Sequence, residues 1–254
     1  MHMTKSISEI TKMYKQADVK DLPAFIEEFK EDERGGVQNL IQKANKRLLD
    51  LEAEKERMYN MFSYERKYGE YQYICGVDEV GCGPLAGPVV AAAVVLPKDC
   101  DILYLNDSKK LTENKREEIF DEIMEKAISV GIGFALPERI DEINIRQADF
   151  EAMRMALSKL SVEPDFIMVD GYPIGGIEKK QISIVKGDSK SASIAAASII
   201  AKVTRDRLMT EYDEVFPGYG FASNKGYGSA EHIKALKELG PTPIHRKTFI
   251  KNFV

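Results

Sequence analysis

From residue 73 onward, short apolar runs alternate with longer amphipathic segments, which is the pattern of alternating strands and helices. The apolar runs predict five strands, over residues 73–78, 88–96, 130–136, 166–169 and 182–185. The amphipathic segments predict helices over residues 112–129, 137–160 with a break near Asn144, 190–215 and 229–239. A glycine-rich turn joins the first two strands, so we expect them to pair antiparallel. The pattern therefore predicts an α/β fold, with a mixed sheet flanked by helices.

Residues 4–70 follow a different pattern, rich in Lys and Glu and without a strand-like run. Ser6 and Asp21 are placed to cap two short helices, and Gly35-Gly36 separate these from a long third helix. In the third helix apolar residues recur at helical spacing, at Val37, Leu40, Ile41, Ala44, Leu48 and Leu51. We therefore expect a small helical N-terminal extension, residues 1–70, before a main domain, residues 71–254. A packing or partner-docking role suits this extension better than a catalytic one.

The composition is that of a globular protein outside the membrane, with 254 residues of which 44% are hydrophobic and 30% charged. Every apolar stretch is broken by a charge, Gly or Pro before the roughly 18 residues of a membrane span, and the N-terminus lacks the apolar core of a secretory signal. Cys75, Cys82 and Cys100 are sparse and lack metal-binding spacing. Because free thiols suit a reducing compartment, we expect a cytoplasmic protein.

The net charge of −5 is distributed unevenly along the chain. Residues 71–178 hold 10 Lys and Arg against 20 Asp and Glu, whereas residues 179–254 hold 13 against 7. An acidic centre could bind cations while a basic C-terminal surface meets a polyanion. The alternative is that the charges only solvate separate faces of the molecule.

Candidate chemistry centres on Asp78-Glu79, two adjacent carboxylates inside an apolar run that continues into a glycine-rich turn. Burying two such groups is unfavourable unless a cation or hydrogen-bond donors meet them, and hard divalent ions prefer oxygen ligands. Two further acids, Asp170 and Asp188, follow later predicted strands, and side chains at strand ends of an open α/β sheet converge. Adjacent strand residues point to opposite faces, so we expect a bend at Glu79 that lets both acids enter one site. Four carboxylates fit a site for two divalent ions.

Each acid also has a purely structural interpretation. Asp170-Gly171 could be an ordinary turn, and Asp188 could cap the helix that follows it. Asp206 competes as the fourth acid, but it lies between Arg205 and Arg207 within a helix, where a solvated ion pair is the better account. We therefore prefer Asp188.

The residues around these acids resemble the motifs of bacterial ribonuclease HII, in order and at suitable spacing over roughly residues 72–250. The resemblance is carried by the segments 78–90, 107–111, 169–171, 186–189, 197–207, 224–228 and 243–246. It implies a ribonuclease H-like fold for the main domain. It also implies endonucleolytic cleavage of the RNA strand of RNA–DNA hybrids, including cleavage 5′ to a single ribonucleotide embedded in duplex DNA.

The same resemblance assigns roles to individual residues. It implies metal ligation, by two Mg²⁺ or Mn²⁺ ions, at Asp78, Glu79, Asp170 and Asp188. A metal-activated water would attack the phosphorus and leave a 3′-hydroxyl and a 5′-phosphate. It implies that the turn Gly81-Cys82-Gly83 senses the ribose 2′-hydroxyl. It also implies that Tyr227 contacts the adjacent sugar and that Lys109 binds a phosphate. We expect a monomer, and we assign no catalytic role to His232 or His245.

One position departs from the family pattern, because Cys82 stands where the family has a basic residue, usually Arg. Losing a charge-assisted contact would weaken substrate binding by about 1.5–3 kcal/mol. An exposed thiol at this position would also be sensitive to thiol reagents.

The alternative functions are a ribonuclease HIII-like nuclease, a non-catalytic hybrid-binding protein and a module with a structural cation. The Gly-Pro-Leu-Ala-Gly-Pro continuation argues against ribonuclease HIII, and the four intact acids argue against a non-catalytic protein.

Overall fold

The computed structural model describes residues 5–254, so the first four residues of the predicted extension lie outside the described range. The chain forms two compact units, one ending at Tyr59 and the other running from Asn60 to Val254. The division falls near the end of the third helix rather than at residue 70. In the described part of the chain, no helix combines the length and apolar character that a bilayer span requires.

The N-terminal unit is built from three helices, α1 (Ile7–Gln16), α2 (Leu22–Phe29) and α3 (Gly35–Met61). Ser6 caps α1 in a reciprocal capping box, in which its hydroxyl accepts from the Glu9 backbone and the Glu9 carboxylate accepts from the Ser6 backbone. Asp21 precedes α2 but makes no side-chain capping bond, so that prediction is wrong. Gly35-Gly36 form the first turn of α3 instead of a separate linker.

The second unit alternates strands with helices, as the apolar pattern predicts. Its strands are β1 (Ile74–Val80), β2 (Val89–Val95), β3 (Ser129–Ala135), β4 (Phe166–Asp170) and β5 (Gln181–Ile184). Its helices are α4 (Ser63–Lys67), α5 (Glu113–Lys126), α6 (Pro137–Ile143), α7 (Ile145–Ser158), α8 (Ala192–Val215), α9 (Phe221–Asn224), α10 (Ala230–Leu239) and α11 (Lys247–Ile250). The predicted break at Asn144 is confirmed, since this residue has φ 67° and its side chain caps α7.

The five strands form one mixed sheet in the order β3-β2-β1-β4-β5. The β1–β2 and β2–β3 pairs are antiparallel, which confirms the predicted hairpin. The β1–β4 and β4–β5 pairs are parallel. Because β1, β4 and β5 run in one direction, their carboxyl ends lie at the same edge of the sheet, where the candidate acids occur.

Both faces of the sheet are covered closely by helices, α7 on one face and α8 on the other. Glycines in the strands allow this approach. A Cβ atom at Gly133 would lie 1.9 Å from the Ala152 carbonyl oxygen of α7, and one at Gly76 would lie 2.1 Å from the Ser193 backbone of α8. The positions of α7 and α8 relative to the sheet edge therefore depend on these glycines.

We predict that Gly133→Ala lowers the free energy of unfolding by about 3 kcal/mol or more, because backbone atoms of α7 must move to admit the methyl group. Gly175→Ala is the matched control, since a Cβ atom there meets only the Phe150 ring at 3.5 Å, an ordinary contact distance. Urea unfolding followed by circular dichroism measures both. Equal stability of the two variants would show that helix and sheet are not packed this tightly.

Candidate active site

Three of the four predicted acids converge at the carboxyl ends of the parallel strands. Asp78 lies in β1 and Asp170 ends β4, on neighbouring strands whose Val77 and Val169 are paired. Asp188 lies in the short 3₁₀ turn that follows β5. The Gly187 N–H of that turn donates to the Asp170 carboxylate at 2.6 Å, which holds the two acidic segments together.

Glu79 reaches the same region by a different route from the predicted one. The expected bend at Glu79 is wrong, because β1 continues regularly to Val80 and Glu79 stays paired with Ala91. The side chains of Asp78 and Glu79 therefore leave opposite faces of the sheet. Asp78 is buried on the α8 side and accepts a hydrogen bond from Ser198, while Glu79 lies on the side of α7.

The electrostatics of the acids are those of a site that favours a cation. Burial raises the pKa of Asp78 well above its ordinary value, and the charges of Glu79 and Asp170 raise it further. Burial is the main cause that raises the pKa of Glu79, and the negative charge of Asp170 adds to it. Burial likewise raises the pKa of Asp188, and the charge of Asp107 adds to it. A bound divalent ion would offset the unfavourable free energy of ionising the three carboxylates. Carboxylate oxygens are also the ligands that Mg²⁺ and Mn²⁺ prefer.

Asp149 of α7 is a neighbour of this site that the sequence interpretation missed. Ligand atoms of Glu79, Cys82 and Asp149 all lie within 4.8 Å of one another. The buried Asp149 Oδ1 has no hydrogen-bond partner, and burial together with Glu79 raises the pKa of Asp149 to about 8. Together with Asp170 these three line a cavity of about 340 Å³. The sequence carries a signal for this position, because Asp149 lies three and four residues before the apolar Ala152 and Met153, on the same face of the predicted helix.

Cys82, the position that departs from the family pattern, lies at the edge of this cavity. Its thiol is 4.0 Å from a Glu79 carboxylate oxygen and is only partly exposed. Burial raises the pKa of the Cys82 thiol strongly, and the charges of Asp149 and Glu79 act in the same direction. At neutral pH the group is therefore a protonated thiol, which argues against the expected sensitivity to thiol reagents.

Two structural interpretations of the other acids also change. Asp188 does not cap α8; that role belongs to Ser191, whose hydroxyl accepts from the Ile194 N–H. Asp206 is an ion-pair residue, as expected, and its carboxylate is 2.8 Å from the Lys202 ammonium. However, the Asp206 side chain is only 13% exposed, so the pair is largely buried rather than solvated.

The glycine turn after β1, residues 81–87, is hydrogen-bonded on one side by Arg246, which is fully buried. Its guanidinium donates to the carbonyl oxygens of Gly81 at 2.5 Å, Cys82 at 3.1 Å and Gly87 at 2.8 Å. Burial and the nearby Arg205 lower the pKa of Arg246 to about 10, which still leaves it charged at neutral pH. The acceptors are neutral carbonyls, so a full positive charge lies directly behind the turn.

Arg205 of α8, also fully buried, joins this turn to a second segment. It donates to the carbonyl oxygens of Pro88 at 2.9 Å and Ala86 at 3.0 Å, and to that of Lys225 at 2.8 Å. Gly81 has φ 96°, and a Cβ atom there would lie 2.4 Å from Arg205 Nε, so this position requires glycine. Arg205 thus fixes the glycine turn relative to the segment that carries Tyr227.

The bonds to Arg246 also orient the N–H groups of the turn. In a trans peptide the C=O and the following N–H point in opposite directions, and the described chain contains no cis peptide. Because the carbonyls of Gly81 and Cys82 face Arg246, the N–H groups of Cys82 and Gly83 point away from it. The turn therefore presents backbone donors on the side opposite the arginine.

The remaining predicted substrate residues lie beside the turn. A Cβ atom at Gly83 would be 3.9 Å from the Tyr227 ring, and that side chain is 43% exposed. Lys109 follows Asp107 in a 3₁₀ turn, and its partial burial is outweighed by Asp107, Asp78 and Asp188, which raise the pKa of Lys109. The structure thus brings a donor turn, an aromatic ring and a cation next to the acids.

Comparison with known proteins gives two family matches. The family described as Ribonuclease HII matches residues 75–252, and the family described as Ribonuclease HII N-terminal domain matches residues 6–69. The chain is 60% identical over 250 residues to the Ribonuclease HII of Lachnoclostridium phytofermentans, covering 98% of both proteins.

Solved structures show the same fold. The ribonuclease H2 from Pyrococcus horikoshii OT3 superposes with a TM-score of 0.62 at 29% identity, covering 72% of this chain and 97% of that one. A Bst-RNase HIII in complex with Mn²⁺ superposes with a TM-score of 0.54 at 20% identity, covering 70% of this chain and 67% of that one. The second likeness concerns the fold alone.

We predict that Arg205→Met lowers the free energy of unfolding by about 3 kcal/mol or more, because it removes the guanidinium donor from two buried carbonyls and one partly buried carbonyl. Arg207→Met is the control on the same helix. Arg207 is 49% exposed and pairs with Glu117, so its loss should change stability by about 1 kcal/mol or less. The measurement is chemical denaturation of both variants. Similar losses would mean that the buried arginine contributes no more than a surface one.

Proposed function

The chain belongs to the ribonuclease HII family, a family of hydrolytic nucleases, and from that membership we propose that it is an endonuclease acting on RNA–DNA hybrids. We propose that it cuts the RNA strand, including on the 5′ side of a single ribonucleotide embedded in duplex DNA. The products are a 3′-hydroxyl and a 5′-phosphate.

The observation that carries this proposal is the convergence of buried acids beside a backbone-donor turn. The proposed ligands of two Mg²⁺ or Mn²⁺ ions are Asp78, Glu79, Asp170 and Asp188. When bound, such ions supply positive charge that stabilises the attacking and leaving oxygens of phosphodiester hydrolysis. The raised pKa values of Asp78, Glu79 and Asp188 support this assignment, because each carboxylate gains from a nearby cation.

The chain's own residues would supply recognition. The N–H groups of Cys82 and Gly83 can donate to the ribose 2′-hydroxyl oxygen, the one group that separates RNA from DNA at a single nucleotide. Tyr227 can stack on the adjacent sugar, and Lys109 can pair with a phosphate near the acids. The charge of Arg246 behind the turn favours the approach of the polyanionic backbone.

The alternatives are weaker. The 60% identity to a Ribonuclease HII over nearly the full chain favours this family over a ribonuclease HIII-like enzyme, for which the likeness is one of fold. A non-catalytic hybrid-binding protein would gain nothing from clustered carboxylates beside a phosphate-binding surface.

We further propose that residues 1–70 are a helical extension to a catalytic domain of residues 71–254, and that the enzyme works in the cytoplasm as a monomer. The two family matches, over residues 6–69 and 75–252, support the division. The three cysteines are all free, which suits a reducing compartment.

We predict that Asp78→Asn abolishes cleavage of a labelled duplex with one ribonucleotide, in Mg²⁺ or in Mn²⁺, with a loss of about a thousandfold or more. The amide keeps the shape of the side chain but removes the charge that a cation requires. Product ends are read on a denaturing gel against an all-DNA duplex as the substrate control. Persistent cutting by the variant, or equal cutting of all-DNA duplex, would contradict the proposed function.

We predict that Cys82→Arg lowers KM for the same duplex by about tenfold, the equivalent of one charge-assisted contact to a phosphate. Cys82→Ser, which adds no charge, should leave KM within about twofold of the original value. Steady-state kinetics of the two variants test this. An unchanged KM for Cys82→Arg would mean that the turn binds substrate through its backbone alone.

A further inference from the structure

Two histidines to which the reaction assigns no role, His232 and His245, form a buried pair. They are 0% and 3% exposed, and their Nε2 atoms are 3.0 Å apart. The rings of Tyr219 and Phe221 stack on each other, and Phe221 packs against both imidazoles at ring-centre distances of 5.3 and 5.7 Å. The pair is therefore enclosed by aromatic rings and held in one orientation.

A backbone amide determines where the protons of this pair lie. The Thr242 N–H donates to His245 Nδ1 at 2.9 Å, so that nitrogen must be an acceptor and the ring proton must be on Nε2. His245 Nε2–H then donates to His232 Nε2, which leaves the His232 proton on Nδ1. His232 Nδ1–H donates in turn to the Tyr227 carbonyl oxygen at 2.8 Å. One chain of donors thus runs from Thr242 to Tyr227.

Both imidazoles are neutral in this arrangement. Burial lowers the pKa of His232, and burial together with His232 lowers that of His245 to about 4. Protonation of His232 would set two Nε2–H groups against each other, and protonation of His245 would set its Nδ1–H against the Thr242 N–H, so the chain of donors requires the neutral pair.

The segment that carries His245 also holds the glycine turn. The Gly87 N–H donates to the Ile244 carbonyl at 2.8 Å, and the Arg246 N–H donates to the Leu85 carbonyl at 2.9 Å. The His245 backbone forms a β-bridge with Ala86. The His245 segment is therefore bonded to the glycine turn through its backbone, and its side chain is linked to the Tyr227 carbonyl through His232.

We propose that His232 and His245 are positioning residues that set the Tyr227 segment relative to the glycine turn. The inference rests on the proposed role of Tyr227 beside the ribose. His245 selects the His232 tautomer, and His232 holds the Tyr227 carbonyl, so that the ring stays next to Gly83.

The test compares two substitutions at one position. His232→Asn places an amide donor where Nδ1 was and keeps the bond to Tyr227, but it cannot reach His245. His232→Gln places its amide near the Nε2 position and keeps the bond to His245, but it loses Tyr227. Both variants should lose thermal stability, whereas only His232→Gln should lose tenfold or more in kcat/KM on the single-ribonucleotide duplex. A purely structural role would make the two variants equally active, and that result would overturn the proposal.

A double substitution shows whether the effect passes through Tyr227. In a Tyr227→Ala background, His232→Gln should change kcat/KM by less than twofold, because the residue it positions is already gone. Losses that multiply in the double variant would show that the histidine acts elsewhere, and would contradict the proposal.

Two readouts do not depend on cleavage. Nitrogen-15 NMR of the imidazoles at pH 7 should show the Nε2–H tautomer for His245 and the Nδ1–H tautomer for His232; the opposite tautomers would overturn the proposal. Fluorescence anisotropy with the same duplex in EDTA should show weaker binding for His232→Gln than for His232→Asn. If the enzyme bound the duplex with this difference but did not cut it, the proposed function would fail while the positioning role stood.

Discussion

The unfavourable free energy of placing like-charged carboxylates at one edge of a buried sheet is the constraint on which this structure depends. Asp78 is 4% exposed and lies next to the strand that ends at Asp170, so solvent alone cannot relieve the charge repulsion at Asp78. The parallel direction of β1 and β4 imposes the proximity. A fold that retained this arrangement without a cation would lose stability at neutral pH and gain nothing in return.

Buried positive charge behind the glycine turn that follows β1 forms the complement of this acidic edge. The side chains of Arg205 and Arg246 donate to carbonyls of the glycine turn and of Lys225, so they orient those peptide planes and leave N–H donors of the turn on the side opposite Arg246. The strands place the acids at the sheet edge, and the two buried arginines orient the peptide planes of the turn beside them.

Much of this could be predicted from the sequence, because it depends on local pattern. The strand that ends at Asp170 and the break at Asn144 follow from apolar runs and a turn residue. The predicted bend at Glu79 is wrong, because the long Glu79 side chain reaches the region of the acids from a regular strand and needs no change in the backbone. Arg205 and His232 carry no local signal of burial, since charged and polar residues in amphipathic helices usually face solvent. Only the tertiary partners of such residues show that they are internal.

The central claim is that the converging acids form a site for two divalent ions, and direct titration tests it most simply. Isothermal titration calorimetry of the full chain with Mn²⁺ should give two ions per molecule. Asp78→Asn should remove at least one of them, whereas Asp206→Asn, whose carboxylate pairs with Lys202, should remove none. Unchanged stoichiometry and affinity in Asp78→Asn would contradict the account.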